Sequence, residues 1–325
     1  MKNMQGGTHR AHTQKSVDKS AAKRVSSFWL RRKPEHEVKR IRHASLTFDV
    51  VNIILLSLFT VLIVVPVWNV AISSFASTKA LNEGGFVFWP QELSLDNYVQ
   101  VFSDSTLWNA FFISVAKTVV GVIAHVFFCA LFAYPLSKAY LKGRKVYSAM
   151  GIITLFFSGG MIPTYLLIKS LGLLDTFWVY IIPALFSYYD VVILMNFFRQ
   201  VPQSLMESAK IDGASEWRIF TSIMLPLSKP ALATIALFHG VWQWNDFMTT
   251  KLYITNEALY PLQMRLYDII MRSQASSAAS QIVLDTSTRG VRLATIMITI
   301  LPILVLYPFV QRYFVGGTMM GAVKG

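Results

Sequence analysis

The chain of 325 residues holds 54% hydrophobic and only 14% charged residues, with a mean hydropathy of +0.47. That balance excludes an ordinary water-soluble domain and makes a lipid bilayer the expected solvent. The net charge of +13 does not point to nucleic acid, because residues 1–45 alone carry twelve lysines and arginines against three acids. The single cysteine, Cys129, excludes an intramolecular disulfide, a two-thiol redox motif and a cysteine metal cluster.

The basic tail, 1–45, is too long before the first apolar run for that run to be a secretory signal peptide, so the run is expected to remain as an anchor. The tail has two readings. It adheres to anionic lipid, helped by Phe28, Trp29 and Leu30 beside Arg31, Arg32 and Lys33, or it is a solvated cytoplasmic extension that sets orientation.

Residues 46–325 are expected to form one transmembrane domain. Six apolar stretches, near 48–74, 108–136, 146–169, 177–198, 229–250 and 291–314, are long enough to cross a hydrocarbon layer, which takes about 20 helical residues. Helices are expected because a run such as VVNIILLSLFTVLIVV lacks the in-out alternation of a barrel strand. Pro66, Pro163, Pro183 and Pro302 predict kinks, and Gly159-Gly160-Met161-Ile162-Pro163 predicts a break or a close helix approach in the third stretch.

Charge alternation supports the count. Residues 75–107 hold Lys79 against four acids, whereas the next connection holds Lys138, Lys142, Arg144 and Lys145, which reads as outside and then inside. Both termini are therefore expected in the cytoplasm of a multi-pass protein of the cell (inner) membrane. Residues 251–290, with the polar stretch SQASSAASQ, read as an external loop.

The cytoplasmic loop 199–228 is the most informative segment. Between Gln203 and Pro226, apolar residues at helical spacing are interrupted by Asp212-Gly213, which predicts a short helix, a glycine turn, and a second helix started by Ser215 with Trp217 and Phe220 on one face. From the residues alone, this is a helical hairpin lying on the membrane or a surface fitted closely against another protein.

Glu207-Ser208-Ala209, three further residues, Gly213 with Asp212 before it, and the downstream Phe220 and Leu225-Pro226 resemble the EAA loop of binding-protein-dependent ABC importer permeases. Ser208 departs from the alanine usual there. The resemblance extends through Phe177 to Phe198, Trp242 to Phe247, and the closing Gln311 to Gly325, which look like the MalG-like half of sugar permeases.

It implies an all-α integral membrane protein of MetI/MalG-like architecture. It also implies a loop that docks on a separate ATPase subunit through Glu207, Ser208, Ala209, Asp212, Gly213, Ala214 and Phe220. The partners it implies are a second homologous permease subunit, two ATPase subunits, and an extracytoplasmic solute-binding protein touching 75–107 and 251–290. The cargo implied is a sugar or oligosaccharide, with a leaning toward polysaccharide-derived, uronate-containing ones. The tail Gly321–Gly325 would reach between the ATPase subunits or fray.

No Walker A, HExxH or GxSxG pattern is present, and the six histidines show no metal-ligand spacing on a shared face. The chain is expected to be a transport subunit without a cofactor, with ATP and Mg bound by the ATPase partner. Candidates for the substrate path are Tyr188, Tyr189 and Asp190 in the fourth stretch, and Trp242, Trp244, Asn245 and Asp246 near the outer end of the fifth. A carboxylate at membrane depth costs several kcal/mol unless it faces protein or water, so Asp190 meets sugar, makes a hydrogen bond at a subunit interface or is a protonated acid inside the bundle. The tryptophans line the path or anchor the helix at the interface. His125 and Cys129 are expected to pack against another helix. Rival readings are a permease for a non-sugar solute, a membrane-embedded enzyme or a channel; neither of the last two needs the docking loop.

Overall fold

The computed structural model describes residues 46–82, 85–89, 92–279 and 286–317. The basic N-terminal tail, the end of the polar stretch at Ser280 and Gln281, and the C-terminal Gly321–Gly325 lie outside them. The chain divides into two units, Met1–Val65 and Pro66–Gly325. The described part of the first is the leading stretch of α1 (Leu46–Ser74), whose side chains from Phe48 to Val65 are all exposed. A helix apolar on every side is suited to lipid rather than water.

The second unit is helical, with a lone bridge between Ala76 and Leu93 among the described residues. After α2 (Thr78–Asn82) and α3 (Asp96–Ser103), the unbroken α4 spans Ser105–Ser137. Asp104 caps it, its carboxylate accepting from Thr106 N at 2.8 Å. Then come α5 (Arg144–Phe156), α6 (Met161–Ser170), 3₁₀ turns at Phe177–Tyr180 and Ile182–Ala184, and α7 (Tyr188–Phe198). The loop region holds α8 (Gln203–Ile211), α9 (Glu216–Ile219), a π turn at Phe220–Met224 and α10 (Leu225–Leu227). The chain continues with α11 (Lys229–Asn245), α12 (Met248–Tyr253), α13 (Leu262–Ala279) and α14 (Thr286–Gly317).

Among the described residues, three helices are long and apolar enough to cross a membrane, or six if each bent pair is one span. The pairs bend by 116° between α5 and α6, 52° before α7 and 78° before α11. The first bend follows from the glycines read in the sequence. Gly160 adopts φ 82° and ψ 174°, a region nearly closed to side chains.

Hydrogen bonds show that α5 and α6 together go from one end of the unit to the other. Asn109 Nδ2 donates to Ala258 O at 2.6 Å, and the Asp175 carboxylate accepts from Thr255 N at 2.6 Å and Asn256 N at 2.8 Å. The start of α4, Asp175 and residues 255–258 therefore share one end. At the other, Lys138, Arg144, Arg199 and Lys210 line a single cleft of about 520 Å³. The chain from Arg144 to Asp175 thus forms a broken span, not a hairpin returning to its own side.

Helix α4 packs centrally. Its buried Ala110, Ser114, Gly121, Ala130 and Ala133 are small, which lets neighbouring backbones approach closely where lipid offers no hydrophobic gain for association. Cys129, Ala130 and Ala133 meet Val191, Leu194 and Phe198 of α7 and Ile219, Phe220 and Met224 of the loop in the largest buried cluster.

Residues 251–290 depart from the expected loop, since α12, α13 and the start of α14 occupy much of them. Leu262 is buried and its N–H donates to Ser114 Oγ at 2.8 Å, which seats the start of α13 on α4. The fifth stretch is also shorter than predicted. Helix α11 ends at Asn245, and Asp246 is extended.

Candidate functional site

The loop between α7 and α11 is organised by its glycine. At the end of α8, Gly213 N donates to Lys210 O at 3.0 Å and Ala214 N to Ala209 O at 2.9 Å, with Gly213 at φ 77°. This is the Schellman arrangement, in which a left-handed residue after the cap satisfies the last carbonyls and two small residues meet across the turn. The spacing from Ala209 to Gly213 and Ala214 is therefore what the turn requires. Ser215 then starts α9, its Oγ accepting from Arg218 N at 3.3 Å.

The two faces of this loop differ. Glu207, Ser208, Asp212 and Gly213 are exposed, and a Cβ placed on Gly213 would meet nothing within 4 Å. Met206, Ile219 and Phe220 are buried on the opposite face. Ala209 and Ala214 are half-buried between them.

Glu216 fastens the inner face. Its carboxylate accepts from Tyr134 Oη at 2.6 Å and Tyr140 Oη at 3.2 Å, and pairs with Lys210 Nζ at 2.6 Å. The Lys210 ammonium, helped by Tyr134, holds the Glu216 carboxyl below the usual carboxylate range, and Glu216 in turn raises Lys210. Phe220 packs tilted against Tyr134 with ring centroids 5.2 Å apart, and Trp217 likewise against Phe220 at 5.6 Å. Lys138 sits over the Tyr134 ring at 4.5 Å and reaches the Met206 sulfur.

The membrane-depth candidates separate into contacts that the sequence did not pair. Asp190 Oδ2 lies 2.9 Å from His125 Nε2, and His125 Nδ1 lies 2.7 Å from Ala184 O. The His125 ring stacks on His239 with centroids 3.7 Å apart and planes 6° from parallel, and His239 lies 5.4 Å from Trp242. His239 Nε2 is buried without a hydrogen-bond partner among the described residues. Cys129 Sγ is 3.5 Å from His125 Nε2. Among the described residues no group of three or more His, Cys, Asp or Glu could hold a metal ion.

Tyr188 and Tyr189, adjacent in sequence, point apart. Tyr188 is buried against Gly151, and Tyr189 is 64% exposed. The tryptophans divide likewise. Trp244 is buried, its N–H donating to Thr299 O at 3.0 Å, whereas Trp242 is 53% exposed. Trp242, Trp244, Asn245 and Asp246 all border a groove of about 1010 Å³ whose other walls, Thr118 apart, are apolar residues of α4, α11 and α14 with Phe247. The Asn245 amide is spent on Val241 O and Gln263.

Lys117 was not anticipated. It is 0% exposed, donates to Asp246 O at 2.6 Å and lies 3.7 Å from Asp246 Oδ2. Gln243 bonds Tyr180 O at 2.8 Å beside it, and the Tyr180 ring lies 4.9 Å from the ammonium. Asp246 is therefore held at the level of Lys117, twelve residues or about 18 Å into α4, rather than standing free at an outer rim. One lysine in an apolar run was the available signal, because such a charge must find a partner.

The chain is 43% identical over 284 residues to Protein LplC of Bacillus subtilis, covering 87% of this chain and 96% of that one. It is 39% identical over 287 residues to the polygalacturonan/rhamnogalacturonan transport system permease protein YtcP of the same species, covering 86% and 98%. Among solved structures, a chain of a bacterial ABC transporter that imports the acidic polysaccharide alginate superposes with a TM-score of 0.75 at 30% identity, covering 82% and 96%. Residues 40–318 match the family described as binding-protein-dependent transport system inner membrane component. The chain belongs to that family, the membrane-embedded permeases of binding-protein-dependent transport systems.

Proposed function

We propose that this chain forms half of the membrane path of an ATP-driven importer for uronate-containing oligosaccharides released from polysaccharide. The observation that carries the cargo is that a relative and a structural neighbour of high coverage are both named for acidic polysaccharides. Delivery would come from an extracytoplasmic solute-binding protein, and a second homologous permease subunit would complete the path. Two ATPase subunits would bind ATP and Mg, leaving this chain without an ATPase site of its own. The end bearing Lys138, Arg144, Arg199 and Lys210 would face the cytoplasm, in keeping with the bias of cytoplasmic loops toward lysine and arginine.

ATP binding in the partner would shift a two-state equilibrium only through contacts that differ between the states. The exposed face of Glu207, Ser208, Asp212 and Gly213, with Ala209 and Ala214 shaping the turn and Phe220 anchoring it, suits such a docking contact. Trp242 and Tyr189, the exposed aromatics among the path candidates, suit stacking on sugar rings, while Asp190 is engaged by His125.

The test is uptake by the complete complex in proteoliposomes charged with binding protein and ATP. Labelled trigalacturonate should enter at least tenfold faster than maltotriose. Preference for the neutral sugar would remove the uronate assignment, and ATP-independent uptake would remove the importer mechanism.

A further inference from the structure

We infer that Glu216 is a positioning residue that converts displacement of the 199–228 loop into displacement of α4, with Tyr134 as its receiving group; this rests on reading that loop as the ATPase-docking surface. Three observations carry it.

The first is direction. Glu207, Asp212 and Glu216 are all exposed, and of the three it is the Glu216 carboxylate that is bonded back to the chain, at Tyr134, Tyr140 and Lys210. A single carboxylate thus accepts from α4, from the α4–α5 connection and from α8 across the glycine turn. The loop cannot shift as a body without carrying or breaking those bonds.

The second is the quality of the bond to α4. Lys210 and Glu216 are 44% and 50% exposed in their side chains, so that ion pair is a weak surface contact. Tyr134 is 9% exposed, flanked by Phe220 and Lys138, and its 2.6 Å bond to the carboxylate lies in the short range expected of a hydroxyl on an ionised acceptor. Of the three contacts of the carboxylate, the one to Tyr134 has the most buried partner, and it lies beside the apolar packing of Ile219, Phe220 and Met224 against α4.

The third is what α4 carries. It is helical without a break from Ser105 to Ser137. Nine residues from Tyr134, about 14 Å along the axis, His125 meets Asp190 of α7; seventeen residues away, about 26 Å, Lys117 meets Asp246 after α11. A shift applied at Tyr134 therefore arrives at the two acids held at membrane depth. No other described side chain of the loop makes a hydrogen bond to an α4 side chain of comparable burial.

The experiment uses the complete complex, with binding protein and both ATPase subunits, reconstituted in proteoliposomes. Wild type, Tyr134→Phe, Glu216→Gln and the double variant are compared for co-purified ATPase and for sugar imported per ATP hydrolysed. Each single variant should keep the ATPase bound and hydrolysing, while import per ATP falls roughly tenfold, as loss of a hydrogen bond to a charged group allows. The double variant should be no worse than Tyr134→Phe, since that change deletes the donor of the bond for which Glu216→Gln leaves only a neutral, weaker acceptor.

Unchanged import per ATP with the ATPase retained overturns the positioning role. So does loss of the ATPase, or a parallel fall of hydrolysis and import, because Glu216 would then be a docking or merely structural residue. Glu207→Lys serves as the separate control on docking. If it leaves the ATPase bound, the docking reading fails, whereas the import ratio of Tyr134→Phe still reports on Glu216.

Discussion

Replacing Gly213 separates two ways in which the loop could depend on it. The backbone there has φ 77°, where an L-residue with a side chain costs about 1–2 kcal/mol. That cost corresponds to a fivefold to thirtyfold loss in the population of the native turn, at about 1.4 kcal/mol per tenfold. Steric conflict within the chain adds nothing, because a Cβ meets no atom within 4 Å. Asparagine tolerates this conformation better than valine, yet both project atoms from the open face. We therefore expect Gly213→Val to lose import through strain and obstruction together, and Gly213→Asn to keep the turn but still lose ATPase association. Hydrogen exchange across 203–219 reads the turn, and co-purification of the ATPase reads the docking. Wild-type import by Gly213→Val would refute the reasoning, and full ATPase binding by Gly213→Asn would refute the claim that this face is the contact.

Gly151→Ala places a Cβ 2.1 Å from the Tyr188 ring, so Tyr188 must move; melting of the purified protein in detergent should reveal a loss of about 1–3 kcal/mol, as overpacking typically costs. Lys117→Met leaves Asp246 without its buried partner, and about 3–5 kcal/mol should be lost; recovery of stability in Lys117→Met/Asp246→Leu distinguishes a charge effect from a packing one. For Glu216, the folded carboxyl titrates below its unfolded range, so its stabilising contribution is present above the unfolded value near 4.5 and disappears as pH falls through the lower folded value. Exchange protection of 203–219 should accordingly drop in acid below about pH 4.5 in wild type, and show no such step in Glu216→Gln.

Hydropathy made the membrane and the six apolar stretches legible, because a bilayer demands a length that composition alone reveals. Gly159 and Gly160 marked the place of the break, since glycine permits the backbone geometry found there, but a break and a close helix approach read alike in the sequence. The loop was readable to the level of its caps, as Gly213 and Ser215 each have one local task. What sequence order concealed was pairing across helices. Asp190, His125 and His239 lie on α7, α4 and α11, and no local period joins them. Lys117 was overlooked because its partner Asp246 is 129 residues away. Trp242 and Trp244 looked like one group, yet two positions apart on a helix they point in different directions, and burial sorted them.

The three bent pairs divide the chain mechanically. At residues 158–160 and 185–187 the backbone lacks the ladder of i to i−4 bonds that stiffens a helix, so changing the angle there sacrifices few hydrogen bonds, while bending α4 would rupture its own; at Ser228 the ladder persists, with Ser228 N donating to Met224 O at 3.1 Å and Leu232 N to Ser228 O at 3.0 Å. The molecule is in effect a stiff spine with jointed limbs. Its joints fall at residues 158–160 and 185–187, and inserting a residue into a joint should be tolerated far better than inserting one into the spine.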